Sequence, residues 1–399
     1  MQMEENKPLA PFTTLGIGGP ARWFVEAASE DDIVDATEWA TQRELALFVL
    51  GGGSNLLVAD AGFDGLVLRV GLRGVAAEPA VKELGTEGGG GFNLRIAPSK
   101  SARFSAPAGR VSPTPPAIPN SSAASESHGG APAHRIYRAA AGEDWDRFVE
   151  RTVEDNCAGV ECLAGIPGTI GGTPVQNVGA YGQEVASAIE QARVFDLKER
   201  VFQELSAEEC GFAYRHSRFN STDRGRFIVT RVDYRLTIGG APTLRYVDLQ
   251  RALQESMNDG KLPSLVEVAA MVRQIRHAKG MLLVAGDPDC RSAGSFFKNP
   301  VVSEERVRQI VAASAKEPPR FPAVPGHVKL PAAWLIEQAG FAKGYAPGAA
   351  GISSRHTLAL INRGGATAQE LLSLAAEINA AVELQFGIRL EMEPVMAGF

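Results

Sequence analysis

The apolar run Leu45–Leu50 stops at Gly51-Gly52-Gly53, and a second glycine-rich stretch runs from Gly165 to Gly182. Glycines at the end of a buried strand leave only backbone at the place where the chain turns. Glycine takes positive φ without steric cost, so successive N–H groups can converge into an anion-binding nest. Ser54 and Asn55, directly after the triplet, add neutral hydrogen-bond donors. Either stretch alone could be a tight connection. Two in one chain suggest a dinucleotide that bridges both. The single-loop solutions are missing: there is no G-x-G-x-x-G and no G-x-x-x-x-G-K-[ST], which disfavours a Rossmann dehydrogenase and a P-loop kinase. No G-x-S-x-G occurs either, which argues against an α/β-hydrolase.

The chain has 399 residues, 45% hydrophobic and 22% charged, enough for two or three compact domains. A net charge of −6 and a pI near 5.7 argue against a general nucleic-acid binder, whose footprint would be basic. An anionic ligand must therefore meet a local basic patch. No apolar run approaches the ~20 residues of a membrane span, and Met1–Lys7 is polar, unlike a secretory signal. Cys157, Cys162, Cys210 and Cys290 form no C-x-x-C pair, so buried free thiols in a reducing cytoplasm are expected. The six histidines show no H-E-x-x-H and no Cys/His cluster, so no metal site is expected.

The periodicity predicts an α+β chain in two parts. Ser29 caps a helix through Ala40 with acids in its first turn, and Gly65–Val70 reads as a strand after Leu45–Leu50. From Pro98 to about His134 proline, serine and alanine dominate. Such a segment cannot bury enough apolar surface to offset its ordering entropy. With Gly88–Gly91 before it, it reads as a disordered surface insertion. Order resumes with a helix over Asp144–Glu154 and strands at Ile189–Phe195 and Phe227–Leu236. A helix-heavier portion follows: Ser264–Arg276, a helix through Trp334 and Ala339, and the longest helix between Thr367 and Gly387. Ile388–Glu393 alternates apolar and charged residues as a final strand.

Several strings occur together and in order. They are Phe12-Thr-Thr-Leu-Gly-Ile-Gly-Gly19, Leu50-Gly-Gly-Gly-Ser-Asn-Leu-Leu57, Gly165-Ile-Pro-Gly168 and Gln176-Asn-Val-Gly-Ala-Tyr-Gly182. Tyr214-Arg-His-Ser-Arg-Phe219, Ala293-Gly-Ser-Phe-Phe-Lys-Asn-Pro300 and Leu390-Glu-Met-Glu393 come later. In these the chain resembles the UDP-N-acetylenolpyruvoylglucosamine reductases. The resemblance implies a vanillyl-alcohol-oxidase-like FAD-binding fold in two lobes plus a C-terminal α+β substrate-binding domain. With the insertion set apart as a departure from the family pattern, the chain divides into residues 1–77 (first FAD lobe), 78–134 (insertion), 135–240 (second FAD lobe) and 241–399 (substrate domain). The resemblance also implies FAD as cofactor, NADPH as co-substrate and a small-molecule substrate, the enolpyruvyl ether of a UDP-sugar. That substrate would be reduced to UDP-N-acetylmuramate for peptidoglycan. No nucleic acid, membrane or obligatory protein partner is implied.

Carried over position by position, the resemblance assigns FAD to Gly51, Gly52, Gly53, Ser54 and Asn55, and to the lining residues Ile166, Gly168, Gly171, Gly172, Gln176, Asn177, Gly179, Ala180 and Tyr181. Position 172 is Gly where some relatives carry Ser. Ser295 matches the proton donor, Arg215 the arginine facing the substrate carboxylate, and Glu393 the glutamate near the reacting carbon. Tyr246, Lys279 and Asn299 match substrate-binding positions, Tyr246 being the tyrosine that one subclass folds over the nucleotide. Read without the resemblance, Ser295 is a residue in a Gly-Ser turn and Tyr246 an ordinary strand aromatic. On an ideal strand Glu391 and Glu393 share one face, so spacing leaves the choice between them open. The long stretch Gly280–Arg291 before Ser295 departs from the family pattern and puts the reach of Lys279 in doubt.

Overall fold

The computed structural model describes residues 1–82, 133–256, 261–314 and 316–399. The first sheet has the order Met3–Pro8, Pro20–Ala27, Phe63–Val70, Ala46–Leu50. Phe63–Val70 runs parallel to both of its neighbours, and Leu66, Val67 and Leu68 are fully buried, as an apolar run covered on both faces should be. Ala46–Leu50 lies at the edge and delivers the chain to the glycine triplet. Helix α1 (Glu30–Gln42) starts at the predicted cap: Ser29 and Asp32 form a capping box, with three acids in the first turn.

The second sheet is antiparallel, in the order Val201–Ser206, Ile189–Asp196, Phe227–Ile238, Ala133–Ala140, Val75–Ala77. Under it lies α2 (Trp145–Glu154), whose Trp145 and Phe148 rings pack at a tilt against Tyr234. Lobe borders drawn on sequence shift accordingly. Val75–Ala77 and Val81–Lys82 both pair with Ala133–Ala140 and so belong to the second sheet. His134 pairs with Thr237, because strand pairing rather than local composition ends the proline-rich segment on this side. Most of the expected insertion, Gly88–Gly91 included, lies outside the described residues.

Helices α3 (Val247–Ser256) and α4 (Leu265–Ala278) also move across a border. Their Leu249, Leu253, Leu265, Val268 and Val272 are packed into the core that both FAD lobes share. The C-terminal core starts at Ala293, not at 241, and is built on Phe296, Phe297 and the helices α5 (Glu304–Ser314), α6 (Ala332–Gln338) and α7 (Ala368–Phe386). Helix α7 starts with a Thr367/Glu370 capping box and ends, as predicted, at Gly387, left-handed at φ 60°.

This C-terminal unit is docked on the first lobe. Val395–Ala397 pairs in parallel with Leu56–Val58, and the Asp60 carboxylate accepts from the Ala368 and Gln369 N–H groups at the start of α7. The expected final strand Ile388–Glu393 does not form; the strand there is Val395–Ala397. Residues 388–393 make one isolated bridge, Phe297 with Met392, and the Asn379 side chain holds the Leu390 backbone through both its N–H and its carbonyl. Two backbone bonds to Phe296 and Lys298 around that bridge, with the Asn379 side chain before them, stand where alternation alone suggested a full ladder.

Candidate active site

The two glycine stretches cross. A methyl group on Gly52 would fall 2.5 Å from the Gly168 Cα, and one on Gly53, at φ 62°, would fall 1.8 Å from the Phe12 carbonyl. Several of these glycines are therefore required for close backbone contact, a use that sequence reasoning did not separate from phosphate binding. Gly172 differs, with nothing within 4 Å of a built Cβ. Asn55 and Gln176 tie the crossing, Nδ2 to Oε1 at 2.5 Å, and Asn55 Nδ2 reaches the Glu393 carbonyl at 3.3 Å.

Above the crossing lies a cleft of about 440 Å³, bounded by the edge strand Leu47–Leu50, Gly51–Asn55, Ile166–Thr169, Gly171–Thr173 and Gln176. It continues into a smaller cavity of about 150 Å³; Ser54, Asn55, Ile166, Pro167, Gln176 and Val178 line both. Gly179 and Ala180 line the smaller cavity. Asn177 and Tyr181 line neither. Asn177 is buried, its amide held by Glu184 and the Ala213 carbonyl, with Ala186 N–H donating to its oxygen. Its role is to shape the loop, which its glycine-rich setting did not reveal.

The small cavity brings together the three residues expected to do chemistry, Ser295, Arg215 and Glu393. Ser295 follows Gly294, φ 74°, and precedes the buried Phe296 and Phe297, which anchor it in the C-terminal core. Phe296 N–H donates to Leu358 O at 2.8 Å, and Glu393 N–H donates to Phe296 O at 2.9 Å. The serine and the glutamate are thereby registered against each other. Arg215 arrives from the second lobe on a two-residue turn closed by paired hydrogen bonds between Ala213 and His216. Its φ of 53° is left-handed, a conformation that costs a non-glycine residue and marks sites held by their surroundings. Next to it the Tyr214 ring receives Lys329 Nζ at 4.3 Å.

Arg215 Nε lies 3.2 Å from Glu393 Oε1, but off-line, so that the buried N–H has no hydrogen-bond acceptor. Burial pushes the Glu393 carboxyl above its usual range, against the pull of Arg215 and Lys298. Glu391 is spent elsewhere: its side chain is 71% exposed and accepts from Lys298 Nζ at 2.5 Å. The structure thus separates the two glutamates that spacing could not.

The positions expected to hold substrate are more scattered. Lys279 Nζ sits 5.9 Å above the Tyr246 ring, whose edge meets Tyr181 at 5.4 Å. Burial pushes the Tyr246 phenol up to about 12, so it stays a proton-bearing donor at neutral pH. Asn299 lines neither cavity, and its Oδ1 accepts from Ala332 N–H at the start of α6. The long stretch after Lys279 folds back as cavity wall through Met281 and Leu283. Arg355 pins its far end, reaching Asp289 at 3.1 Å and also Asp287. Arg276 was missed: only 5% exposed, it donates to Gly165 O and Met281 O and lines the small cavity. In sequence it resembled a last-turn cation on α4.

Two crossed backbone loops, an edge strand and a long cleft fit an extended dinucleotide. The cleft, with the FAD-binding domain that the first two lobes match, defines an FAD-dependent oxidoreductase. Residues 21–89 and 129–203 match the FAD binding domain family, and residues 287–397 match the C-terminal domain of UDP-N-acetylenolpyruvoylglucosamine reductase. The chain is 41% identical to the UDP-N-acetylenolpyruvoylglucosamine reductase of Thermobifida fusca, over 98% of this chain and 97% of that protein. It is 40% identical to that of Streptomyces coelicolor, over 100% of this chain and 91% of the other. The crystal structure of the reductase from Thermus caldophilus shares the fold, with a TM-score of 0.58 and 24% identity over 99% of this chain and 98% of that one. The chain belongs to the UDP-N-acetylenolpyruvoylglucosamine reductase family, and reduces that enolpyruvyl ether in peptidoglycan precursor synthesis. Among the described residues no helix is long and apolar enough to cross a membrane.

Proposed function

We propose that the chain uses NADPH to reduce the enolpyruvyl ether of a UDP-sugar to the lactyl ether, with Ser295, Arg215 and Glu393 as its catalytic residues. The convergence of these three on one cavity continuous with the glycine cleft carries this reading. Gly51–Asn55, Ile166, Gly168, Gly171, Gly172, Gln176, Gly179 and Ala180 would hold FAD, which when bound accepts hydride from NADPH and passes it to the terminal vinyl carbon. The protein must then manage charge on the neighbouring carbon and its carboxylate, and deliver one proton there.

The Arg215 guanidinium grips the carboxylate and stabilises the enolate form. Ser295 Oγ delivers its proton to the α-carbon. A serine hydroxyl is always protonated at neutral pH but is a weak acid, so it needs a neighbour that stabilises the alkoxide. Glu393, held above the usual carboxylate range by burial, bears a proton toward the enol. Lys279 and Tyr246, brought together at one face, bind the diphosphate, with Tyr246 covering the nucleotide and Asn299 assisting through its amide N–H. NADPH and the sugar nucleotide occupy the same cavity in turn, in a cytoplasmic enzyme that needs no obligatory protein partner.

Anaerobic mixing tests this reading. NADPH should bleach the bound flavin, and the enolpyruvyl sugar nucleotide should restore its colour. Reoxidation by oxygen together with turnover of a simple alcohol, and none by the sugar nucleotide, would refute it.

A further inference from the structure

Arg215 and Ser295 reach the small cavity from different units of the fold, and two chains of contacts join them. One runs through Glu393, which faces Arg215 and whose N–H donates to the Phe296 carbonyl beside the serine. The other runs on the far side. Past Ser295 the chain continues through Lys298-Asn299-Pro300 into the strand Val301–Ser303, which pairs with His327–Lys329, Val301 against Lys329. Leu330 N–H donates to Pro300 O at 2.9 Å and fixes that register. Lys329 Nζ then stands 4.3 Å over the Tyr214 ring, and the Arg215 guanidinium lies 5.9 Å from the same ring. The contacts close a ring around the cavity, yet neither Tyr214 nor Lys329 lines it. The Asn177 and Asn220 amides donate to the Ala213 and Arg215 carbonyls and hold the shape of the turn. Core packing does not place the Tyr214 ring, which is 46% exposed. The ammonium over its face ties the turn to the C-terminal unit, with a strength that grows as water is excluded.

We infer that Tyr214 and Lys329 are positioning residues: their cation–π contact clamps the Arg215 turn against the unit that carries Ser295, and so sets the span between carboxylate grip and proton donor. The inference rests on the roles proposed above for Arg215 and Ser295 and deepens them. A substrate held at its carboxylate by Arg215 presents its α-carbon to Ser295 only when that span is correct, and a small misplacement of reacting groups is costly in rate.

The test uses the full-length holoenzyme. It reads flavin reoxidation by subsaturating enolpyruvyl sugar nucleotide, with flavin reduction by NADPH as internal control. Lys329→Met keeps most of the stem and removes the charge. It should slow reoxidation by about 3- to 10-fold, the range that a partly desolvated cation–π contact supplies, and leave reduction close to the wild-type rate. Tyr214→Leu should do the same, whereas Tyr214→Phe and Lys329→Arg keep the ring and the cation and should reoxidise like wild type. Because the clamp acts through Arg215, Lys329→Met should cost nothing further in an Arg215→Ala background. Unchanged reoxidation in K329M, slowing of both half-reactions, failure of Y214F or K329R to match wild type, or the same loss with and without Arg215 would each overturn the inference; the last would make Lys329 a direct substrate contact. Reoxidation left unchanged by Arg215→Ala alone would remove the role proposed for Arg215, and the clamp with it.

Discussion

Replacing Ser295 by alanine should separate the two halves of the reaction. The side chain is one hydroxyl in a cavity of about 150 Å³, facing Arg215 and Glu393, and it touches nothing needed to hold the fold. Its anchors are the backbone bonds of its neighbours Phe296 and Glu393 and the buried rings that follow it. The variant should therefore fold and retain flavin. A positioned general acid contributes roughly 10²–10⁴-fold. The cavity already has room for water, which occupies ~30 Å³, so a water can take the place of the lost hydroxyl and act as a weaker donor. The expected loss is thus in the lower part of that range, about 10²–10³-fold, or ~3–4 kcal/mol of barrier.

Anaerobic stopped-flow absorbance reads each half directly. Bleaching by NADPH should proceed at close to the wild-type rate, while the return of colour with the enolpyruvyl sugar nucleotide slows by the stated factor. Equal slowing of both steps would mean that Ser295 orders the cavity and does not protonate the substrate. Unchanged reoxidation would mean that another group, Glu393 being the nearest candidate, carries the proton.

Gly52→Ala should drive its methyl into the Gly168 backbone at 2.5 Å, costing about 1–3 kcal/mol and most of the bound flavin; calorimetry and the visible spectrum read both. Gly172→Ser should by contrast fold as wild type and bind FAD at least as tightly, since its Cβ meets open space; a loss of affinity would contradict the cleft geometry. Asn55→Ala removes the bonds to Gln176 and the Glu393 carbonyl, and should lower both kcat and thermal stability, the latter by about 1–2 kcal/mol. Asp196, fully buried, is held down to about 2, first by Arg226, whose guanidinium bonds both its oxygens. With an unfolded value near ~3.9, it adds ~2–3 kcal/mol that is present above pH ~4 and is lost as pH falls toward 2. Asp196→Asn should lose that increment at pH 7 and flatten the acid limb of a urea titration.

Local chemistry was legible wherever neighbours in sequence decide it. The Ser29 cap, the start of α7 at Thr367 and its end at Gly387 follow from short-range rules and appear as read, and the helix read over Asp144–Glu154 forms with Asp144 as its cap. The misreadings all involve distant partners. Alternation at Ile388–Glu393 suggested a strand, yet residues 296–298 pair with only its last three residues, and Asn379 takes up the Leu390 backbone before them. The border at 240 followed a change in texture, whereas α3 and α4 bury their leucines in the lobe core. Glycine runs announced a loop, but whether each glycine faces ligand or another backbone depends on stretches distant in sequence, Phe12 for Gly53 and Gly168 for Gly52. Arg276 carried no signal of its own, because burial is a property of the folded environment.

Those same long-range contacts determine what the site can do. The C-terminal unit is locked to the first lobe by a parallel strand pair, the Asp60 cap on α7 and the Asn362 bond to the Leu15 carbonyl. Ser295 and Glu393 therefore move with the glycine triplet as one body. Arg215 comes from the second lobe on a single tight turn, in a left-handed conformation, and is linked to that body by Glu393 and by Lys329 beneath Tyr214. The proposed proton donor is thus fixed relative to the cleft, while the proposed carboxylate grip comes from the other lobe, on a turn tied by Asn177 and Asn220. In the proposed mechanism the Arg215 side chain trades its off-line contact with Glu393 for the substrate carboxylate. The glutamate would then lose its nearest positive charge, and burial would keep it protonated in the step where an enol needs a hydrogen bond.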